Sequence, residues 1–111
     1  MGEIISLKEN RAFKRIYAKG KSYVAPNLVM YTMKNRVGFT RVGITTSKKI
    51  GKAVQRNRAR RVIREAYRQI NSNTNRNLDI VFVARGRTTK AKMQEVMKEM
   101  KYSMKKAGII E

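Results

Sequence analysis

One stretch of the chain, residues 47–65, places the strongest constraint on the fold. From Lys48 to Arg64 it contains eight cations and no acid. Apolar residues recur there at helical spacing, which predicts an amphipathic helix over Ala53–Ile70. Its apolar stripe consists of Ala59, Val62, Ile63, Ala66, Tyr67 and Ile70. One side of this helix is expected to pack against a core, while the other side is almost purely cationic.

The cationic side of this helix favours a polyanionic partner. On a helical wheel the outer face holds Asn57, Arg60, Arg61, Arg64 and Arg68, with Arg56 and Arg58 at its flanks. A solvated surface helix is the alternative, but such helices usually mix both signs, because like charges one turn apart repel by roughly 0.2–0.5 kcal/mol per pair. Guanidinium groups also bind phosphate oxygens bidentately. The pattern therefore predicts a nucleic-acid-binding face.

The composition of the whole chain excludes several classes of function. Its 111 residues include 27 Lys and Arg against 7 Asp and Glu, a net charge of +20, with no His and no Cys. Disulfides, thiolate metal sites and a histidine general base are therefore excluded. No apolar run approaches the roughly 20 residues of a membrane span, and the opening Met1–Gly2–Glu3 does not resemble a secretory signal. We expect a cytoplasmic polyanion-binding protein with no catalytic residues and no metal site of its own.

Hydrophobic periodicity predicts a single α+β domain over residues 1–111, with a small, mainly antiparallel sheet packed against helices. The predicted order is helix, strand, strand, helix, strand, helix. The first helix lies between Leu7 and Lys19, with a start near Leu7 (capping box Ser6 and Glu9) or near Arg11. The other predicted elements are the strands Asn27–Met33, Phe39–Thr46 and Leu78–Ala84 and the helices Ala53–Ile70 and Thr89–Ala107.

Three aromatic residues have two possible interpretations. Phe13 and Tyr17 lie four residues apart on the first helix, and Tyr31 lies on a predicted strand. Periodicity alone favours a core position for the first two, whereas a stacking platform for unpaired bases is the alternative. Asp79, within the third predicted strand, either sits at a sheet edge or pairs with an arginine.

The segment S-K-K-I-G-K-A-V-Q-R-N-R-A-R-R-V-I-R-E at Ser47–Glu65 resembles the central motif of the bacterial ribonuclease P protein component. Further similarity lies in L-K-E-N-R-A-F-K-R-I-Y-A-K-G at Leu7–Gly20 and in D-I-V-F-V-A-R at Asp79–Arg85. The resemblance covers nearly the whole chain in order. Two departures are Tyr17, where relatives commonly have Phe, and Gly86–Arg87 in place of a common lysine–proline pair.

The resemblance implies a subunit of an endoribonuclease whose catalytic site lies in a large RNA with its magnesium ions. The expected partners are this catalytic RNA and precursor tRNA, and neither DNA nor a membrane. The resemblance also implies a ribosomal-protein-S5-like fold with a left-handed crossover.

Site residues follow from the same resemblance and from the cationic face. Residues expected to contact the catalytic RNA are Lys52, Arg56, Asn57, Arg58, Arg60, Arg61, Arg64 and Arg68. Residues expected to line a cleft for the single-stranded 5′ leader of precursor tRNA are Phe13, Tyr17, Val29, Tyr31, Ser47, Lys48, Lys49 and Ala84. A ribosomal or general RNA-binding protein without such a cleft is the alternative, and a protein-only nuclease is a more distant one.

Overall fold

A computed structural model describes residues 10–70 and 77–110, which form an α+β sandwich. Its helices and strands are α1 (Asn10–Lys19), β1 (Lys21–Val24), β2 (Leu28–Lys34), β3 (Arg41–Thr45), α2 (Ala53–Ile70), β4 (Leu78–Ala84) and α3 (Met93–Lys106). Short 3₁₀ helices at Lys48–Ile50 and Gly86–Thr89 precede α2 and α3. The predicted fold class and element order are confirmed, and one strand, β1, is added to them. The proposed capping box at Ser6 and Glu9 lies outside the described residues.

The four strands form one sheet in the order β1-β2-β4-β3. β1 and β2 pair antiparallel, as do β2 and β4, while β3 and β4 pair parallel. Parallel neighbours require a crossover connection, and here α2 provides it between β3 and β4. The sheet is therefore mainly antiparallel, as predicted. The left hand of the crossover stays a prediction.

The two faces of the sheet are covered to different extents. On one face, α2 and α3 bury a large core that includes Leu28, Phe82, Ile63 and Met100. On the other face, α1 buries a smaller cluster in which Ile16 packs against Val81. Within α1, Ile16 is the buried residue. The second face is only partly covered, so Val29, Tyr31 and Val83 remain part-exposed there.

The start of the last helix differs from the prediction because a side chain bonds to nearby backbone. The predicted helix start at Thr89 is instead the end of a 3₁₀ turn, where the Thr89 hydroxyl donates to the Gly86 carbonyl at 2.8 Å. α3 itself begins at Met93. Gly108, with φ of 77°, follows its last turn, as expected of a helix-terminating glycine. In the described part of the chain, helices that combine enough length and hydropathy to cross a membrane are not found.

Candidate nucleic-acid interface

A row of aromatic rings joins α1 to the sheet on the partly covered face. The rings of Phe13 and Tyr17 have centroids 6.4 Å apart, and Tyr17 meets Tyr31 edge-on at 5.0 Å. The Tyr17 hydroxyl donates a hydrogen bond to Thr45 Oγ1 at 3.2 Å, so the row reaches across to β3. These contacts hold the rings in place while part of each ring remains open to solvent.

Burial separates the two interpretations of these aromatic residues. Ile16 is fully buried, whereas Phe13 and Tyr31 are half-buried and Tyr17 is 41% exposed. The apolar anchor of α1 is therefore an aliphatic residue, and the aromatic rings border the core rather than fill it. A face of this kind suits base stacking, since every nucleobase presents a flat π surface.

The sheet surface beside the aromatic row is formed by alternate residues of β2 and β4. Val29 pairs with Val83 in the antiparallel register, and Tyr31 pairs with Val81. Val29 and Val83 are half-buried, like Tyr31. Sequence reasoning named Val29 and Tyr31 but missed Val83, as well as Thr45 on β3.

The placement of Ala84 in this cleft is corrected by the structure. Ala84 pairs with Leu28, and both belong to the core beneath α2 and α3, on the opposite face of the sheet. Successive residues of a strand point to opposite faces, so Val83 rather than Ala84 shares a face with Val29. Because the residues of β4 are almost all apolar, the sequence does not indicate which of them face α1, and the pairing register with β2 is needed to assign them.

The loop after β3 carries three of the residues predicted to line the cleft. Ser47 has extended backbone, and Lys48 and Lys49 begin the first 3₁₀ helix. All three residues are exposed. This loop starts two residues beyond Thr45, the hydrogen-bond partner of Tyr17. It therefore adds two exposed cations shortly after the strand that the aromatic row reaches.

The exposed face of α2 holds most of the predicted RNA-contacting residues. Asn57, Arg61, Arg64 and Arg68 are exposed, while Ala59, Ile63, Ala66, Tyr67 and Ile70 are buried, so the packing and exposed faces are as predicted. Lys52, just before the helix, is also exposed. Arg68 lies 3.4 Å from Glu65, and both side chains are about half exposed, so this surface pair contributes little. No carboxylate in the described residues lies within 4.0 Å of Arg61 or Arg64.

Three other arginines of the motif are bonded within the fold. Arg60 Nη2 donates to Thr46 Oγ1 at 2.8 Å, and Arg56 Nη1 donates to the Gly51 carbonyl at 3.1 Å. Arg58 donates to two carbonyls of the segment before α3, those of Thr89 at 2.9 Å and Ala91 at 3.0 Å. The arginines of this motif look alike in the sequence, but the structure divides them into two sets. One set faces solvent, and the other also fastens neighbouring loops to α2.

Two of the four acidic side chains in the described residues, Asp79 and Glu99, bond to groups within the fold. Asp79 is 3% exposed and receives two hydrogen bonds from Arg41, both at 2.8 Å, so the expectation of an arginine partner is confirmed. Glu99 accepts hydrogen bonds from Asn27. Across residues 10–70 and 77–110, no three acidic groups come together as metal ligands would. The acidic residues in these ranges therefore do not fit a magnesium site.

These features together define a small basic α+β domain with one cationic helix face and one partly exposed row of aromatic rings. The family model of ribonuclease P matches residues 1–108. The chain belongs to this family, that of the ribonuclease P protein component.

Relatives and solved structures agree with this assignment. The chain is 41% identical over 99 residues to the ribonuclease P protein component of Thermoanaerobacter sp. (strain X514), covering 89% of this chain and 85% of the relative. It is 42% identical over 104 residues to that of Clostridioides difficile (strain 630), covering 93% and 91%. The fold is similar to that of the RNase P protein of Staphylococcus aureus, with a TM-score of 0.85, 32% identity and coverage of 98% and 100%. It is also similar to the Thermotoga maritima protein, with a TM-score of 0.80, 28% identity and coverage of 96% and 97%.

Proposed function

We propose that this chain is the protein subunit of a ribonuclease P that removes the 5′ leader from precursor tRNA. In this proposal the exposed face of α2 binds the catalytic RNA, and the cleft between α1 and the sheet holds the single-stranded leader. The observation that carries the proposal is the aromatic row of Phe13, Tyr17 and Tyr31, part-exposed on a sheet face that α1 covers only partly.

The charges of the described residues support binding to two RNA molecules at once. Both the catalytic RNA and its substrate are polyanions and repel each other. Exposed cations on α2 and on the loop Ser47–Lys49 lower that repulsion through counterion release. The Arg60–Thr46 hydrogen bond ties the helix to the start of this loop. One small scaffold therefore presents cations at two adjacent surfaces.

The chain contributes positioning rather than acid–base chemistry. It has no His and no Cys, and its described acids are not grouped. In our proposal the catalytic RNA holds the magnesium ions, which supply the Lewis-acid chemistry of phosphodiester hydrolysis. The protein holds the leader in one orientation, which turns a diffuse encounter into a proximity effect at the cleavage site. We place this activity in the cytoplasm.

The leader cleft is tested by truncating Tyr17 in the complex with ribonuclease P RNA. Stacking of a base on an aromatic ring contributes about 1–3 kcal/mol. Tyr17→Ala is therefore expected to weaken binding of precursor tRNA by about fivefold or more, while binding of mature tRNA, which lacks the leader, is unchanged. Tyr17→Phe keeps the ring and loses only the bond to Thr45, so it should retain most of the affinity. Dissociation constants for both tRNAs, measured at one salt concentration, provide the comparison.

A matched control removes an aromatic ring outside the cleft. Tyr102 on α3 is 65% exposed, so Tyr102→Ala should leave the affinity for both tRNAs unchanged. Equal losses for precursor and mature tRNA with Tyr17→Ala would instead favour a general RNA-binding protein without a leader cleft. Cleavage of precursor tRNA by the polypeptide and magnesium alone, without RNA, would refute the accessory role.

A further inference from the structure

Glu99 on α3 has an unusual position for an acid in a chain of charge +20. It is half-buried, and its carboxylate accepts two hydrogen bonds from Asn27, one from the backbone N–H at 2.8 Å and one from the side-chain amide. Asn27, in the connection between β1 and β2, is 5% exposed. Hydrogen bonds to an ionised group are among the stronger ones, so this contact fixes the connection against α3.

The network continues from Asn27 to the end of β4. The hydroxyl of Thr88, which is fully buried, donates to the Asn27 carbonyl and accepts from the backbone N–H of Arg85 at 2.9 Å. Arg85 Nη1 also donates to the Ala25 carbonyl at 2.8 Å, in the same connection as Asn27. Glu99 is therefore linked through two buried polar groups to the residue that begins the β4–α3 segment.

The segment that this network holds is basic and lies beside the predicted cleft loop. Arg85, Arg87 and Lys90 are exposed. The 3₁₀ helix of this segment, Gly86–Thr89, packs against the 3₁₀ helix Lys48–Ile50. The Arg58 bonds to the carbonyls of Thr89 and Ala91 hold the same segment from the side of α2. Two basic loops are thus kept next to each other by contacts from two helices.

We propose that Glu99 is a positioning residue for RNA binding. Its carboxylate, acting through Asn27 and Thr88, holds the basic segment after β4 next to the 3₁₀ helix Lys48–Ile50. The proposal rests on the proposed function, because the ligand that these cations meet is RNA. Glu99 then strengthens RNA binding although it carries the same charge sign as RNA.

The sign of the effect distinguishes positioning from simple electrostatics. Removing an acid from a polycation strengthens RNA binding if only charge matters, by less than about twofold at physiological ionic strength. If Glu99 positions the basic segment, Glu99→Ala weakens binding instead, by about tenfold. The salt dependence of binding should also become shallower, since displaced cations no longer neutralise phosphates.

Glu95→Ala is the matched control. Glu95 lies one turn earlier on the same helix and is exposed, and in the described parts of the chain it has no side-chain partner within hydrogen-bond or ion-pair distance. Both variants raise the net charge by one, but only Glu99→Ala removes the network. The readout is the affinity of the complex with ribonuclease P RNA for precursor tRNA over a range of salt. Measurements are made well below the unfolding midpoint of each variant.

A second pair of variants tests the network without changing charge. Thr88→Val is nearly isosteric and removes the hydroxyl, so it should weaken binding in the same direction as Glu99→Ala. Thr88→Ser keeps the hydroxyl and should restore the affinity. A merely structural role would lower the unfolding midpoint while the salt dependence stayed the same.

Three results can be told apart. If Glu99→Ala binds as tightly as Glu95→Ala, or if Thr88→Val binds like the unmodified chain, the positioning role is wrong although the proposed function stands. If the unmodified chain shows no preference for precursor tRNA, the proposed function itself fails. Weaker binding and a shallower salt dependence for Glu99→Ala and Thr88→Val alone support the inference.

Discussion

Arg58 lies within the cationic motif, yet its guanidinium group binds the chain itself. Two of its N–H groups donate to the carbonyls of Thr89 and Ala91, at 2.9 and 3.0 Å. The Thr89 carbonyl ends the 3₁₀ helix Gly86–Thr89, and the Ala91 carbonyl lies in the connection before α3. We predict that Arg58 stabilises the fold through these two contacts, so its replacement lowers the stability of the protein more than it weakens RNA binding.

The expected loss for Arg58→Gln follows from these two bonds. Hydrogen bonds that involve a charged group contribute about 1.5–3 kcal/mol when fully buried. Arg58 is exposed as a residue, so water replaces part of each bond. We expect a loss of about 1–2 kcal/mol in the free energy of unfolding, which lowers the midpoint by about 5–10 °C in a domain of this size. Arg58→Lys keeps the charge but reaches one carbonyl at most, so its midpoint should fall between those of Arg58→Gln and the unmodified chain.

Arg61 supplies the comparison, because it is exposed on the same helix and forms no ion pair with the described carboxylates. Arg61→Gln should leave the midpoint unchanged and lower the slope of log affinity against log salt by about 0.7–0.9, the value of one phosphate contact. Arg58→Gln should change that slope less than Arg61→Gln does, because any effect of Arg58 on RNA contact acts only through the segment that it holds. Fluorescence anisotropy with labelled ribonuclease P RNA gives the slopes, and circular dichroism gives the midpoints. A normal midpoint together with a lower slope for Arg58→Gln would show that Arg58 is an RNA ligand, and the reasoning from its carbonyl contacts would be refuted.

Three further predictions concern single side chains. Gly20→Ala is expected to lower the free energy of unfolding in urea by about 1–3 kcal/mol, because its Cβ would lie 2.6 Å from the Ile16 carbonyl oxygen. Gly86→Ala is the neutral control, since nothing lies within 4 Å of its Cβ. Equal effects of the two substitutions would contradict this prediction. Arg41→Met is expected to lower the free energy of unfolding by about 3 kcal/mol, since it leaves the buried carboxylate of Asp79 without its cation. A loss below about 1 kcal/mol in thermal unfolding would refute this prediction. Arg64→Glu is expected to change the free energy of unfolding by less than about 0.5 kcal/mol, because Arg64 is exposed. The same variant should bind ribonuclease P RNA much more weakly in a gel-shift assay. An unfolded variant would mean that the buried and exposed faces of α2 are reversed.

Two elements with long apolar patterns could be predicted from the sequence to the residue. The predicted bounds Ala53–Ile70 and Leu78–Ala84 are those of α2 and β4. β1 could not be predicted in this way, because its four residues, K-S-Y-V, form a largely exposed edge strand without apolar alternation. Long patterns average over many side chains, whereas a short edge strand depends on the neighbour with which it pairs.

The site was harder to predict, because it depends on strand parity and on local bonding. Ala84 was assigned to the cleft by resemblance. In the register with β2, however, Ala84 lies on the core face of the sheet, and Val83 lies on the face that carries the aromatic row. Arg58 and Arg61 look alike in the motif, and only the positions of neighbouring carbonyls separate them. Identity and spacing therefore predict which residues are cationic, but the tertiary contacts decide which cations remain for a partner.

The distribution of acids explains why a partner is needed at all. Of the four acids in the described residues, Asp79 and Glu99 bond to buried or half-buried groups of the fold, and Glu65 pairs with Arg68 at the surface. Arg56, Arg60, Arg64 and Arg68 follow one another at four-residue spacing, so neighbouring cations along α2 repel by about 1 kcal/mol in total. A chain selected for stability alone would place glutamates among them. Retaining this largely cationic face therefore has a cost in the isolated protein, and in the proposed function the phosphates of a bound RNA offset that cost.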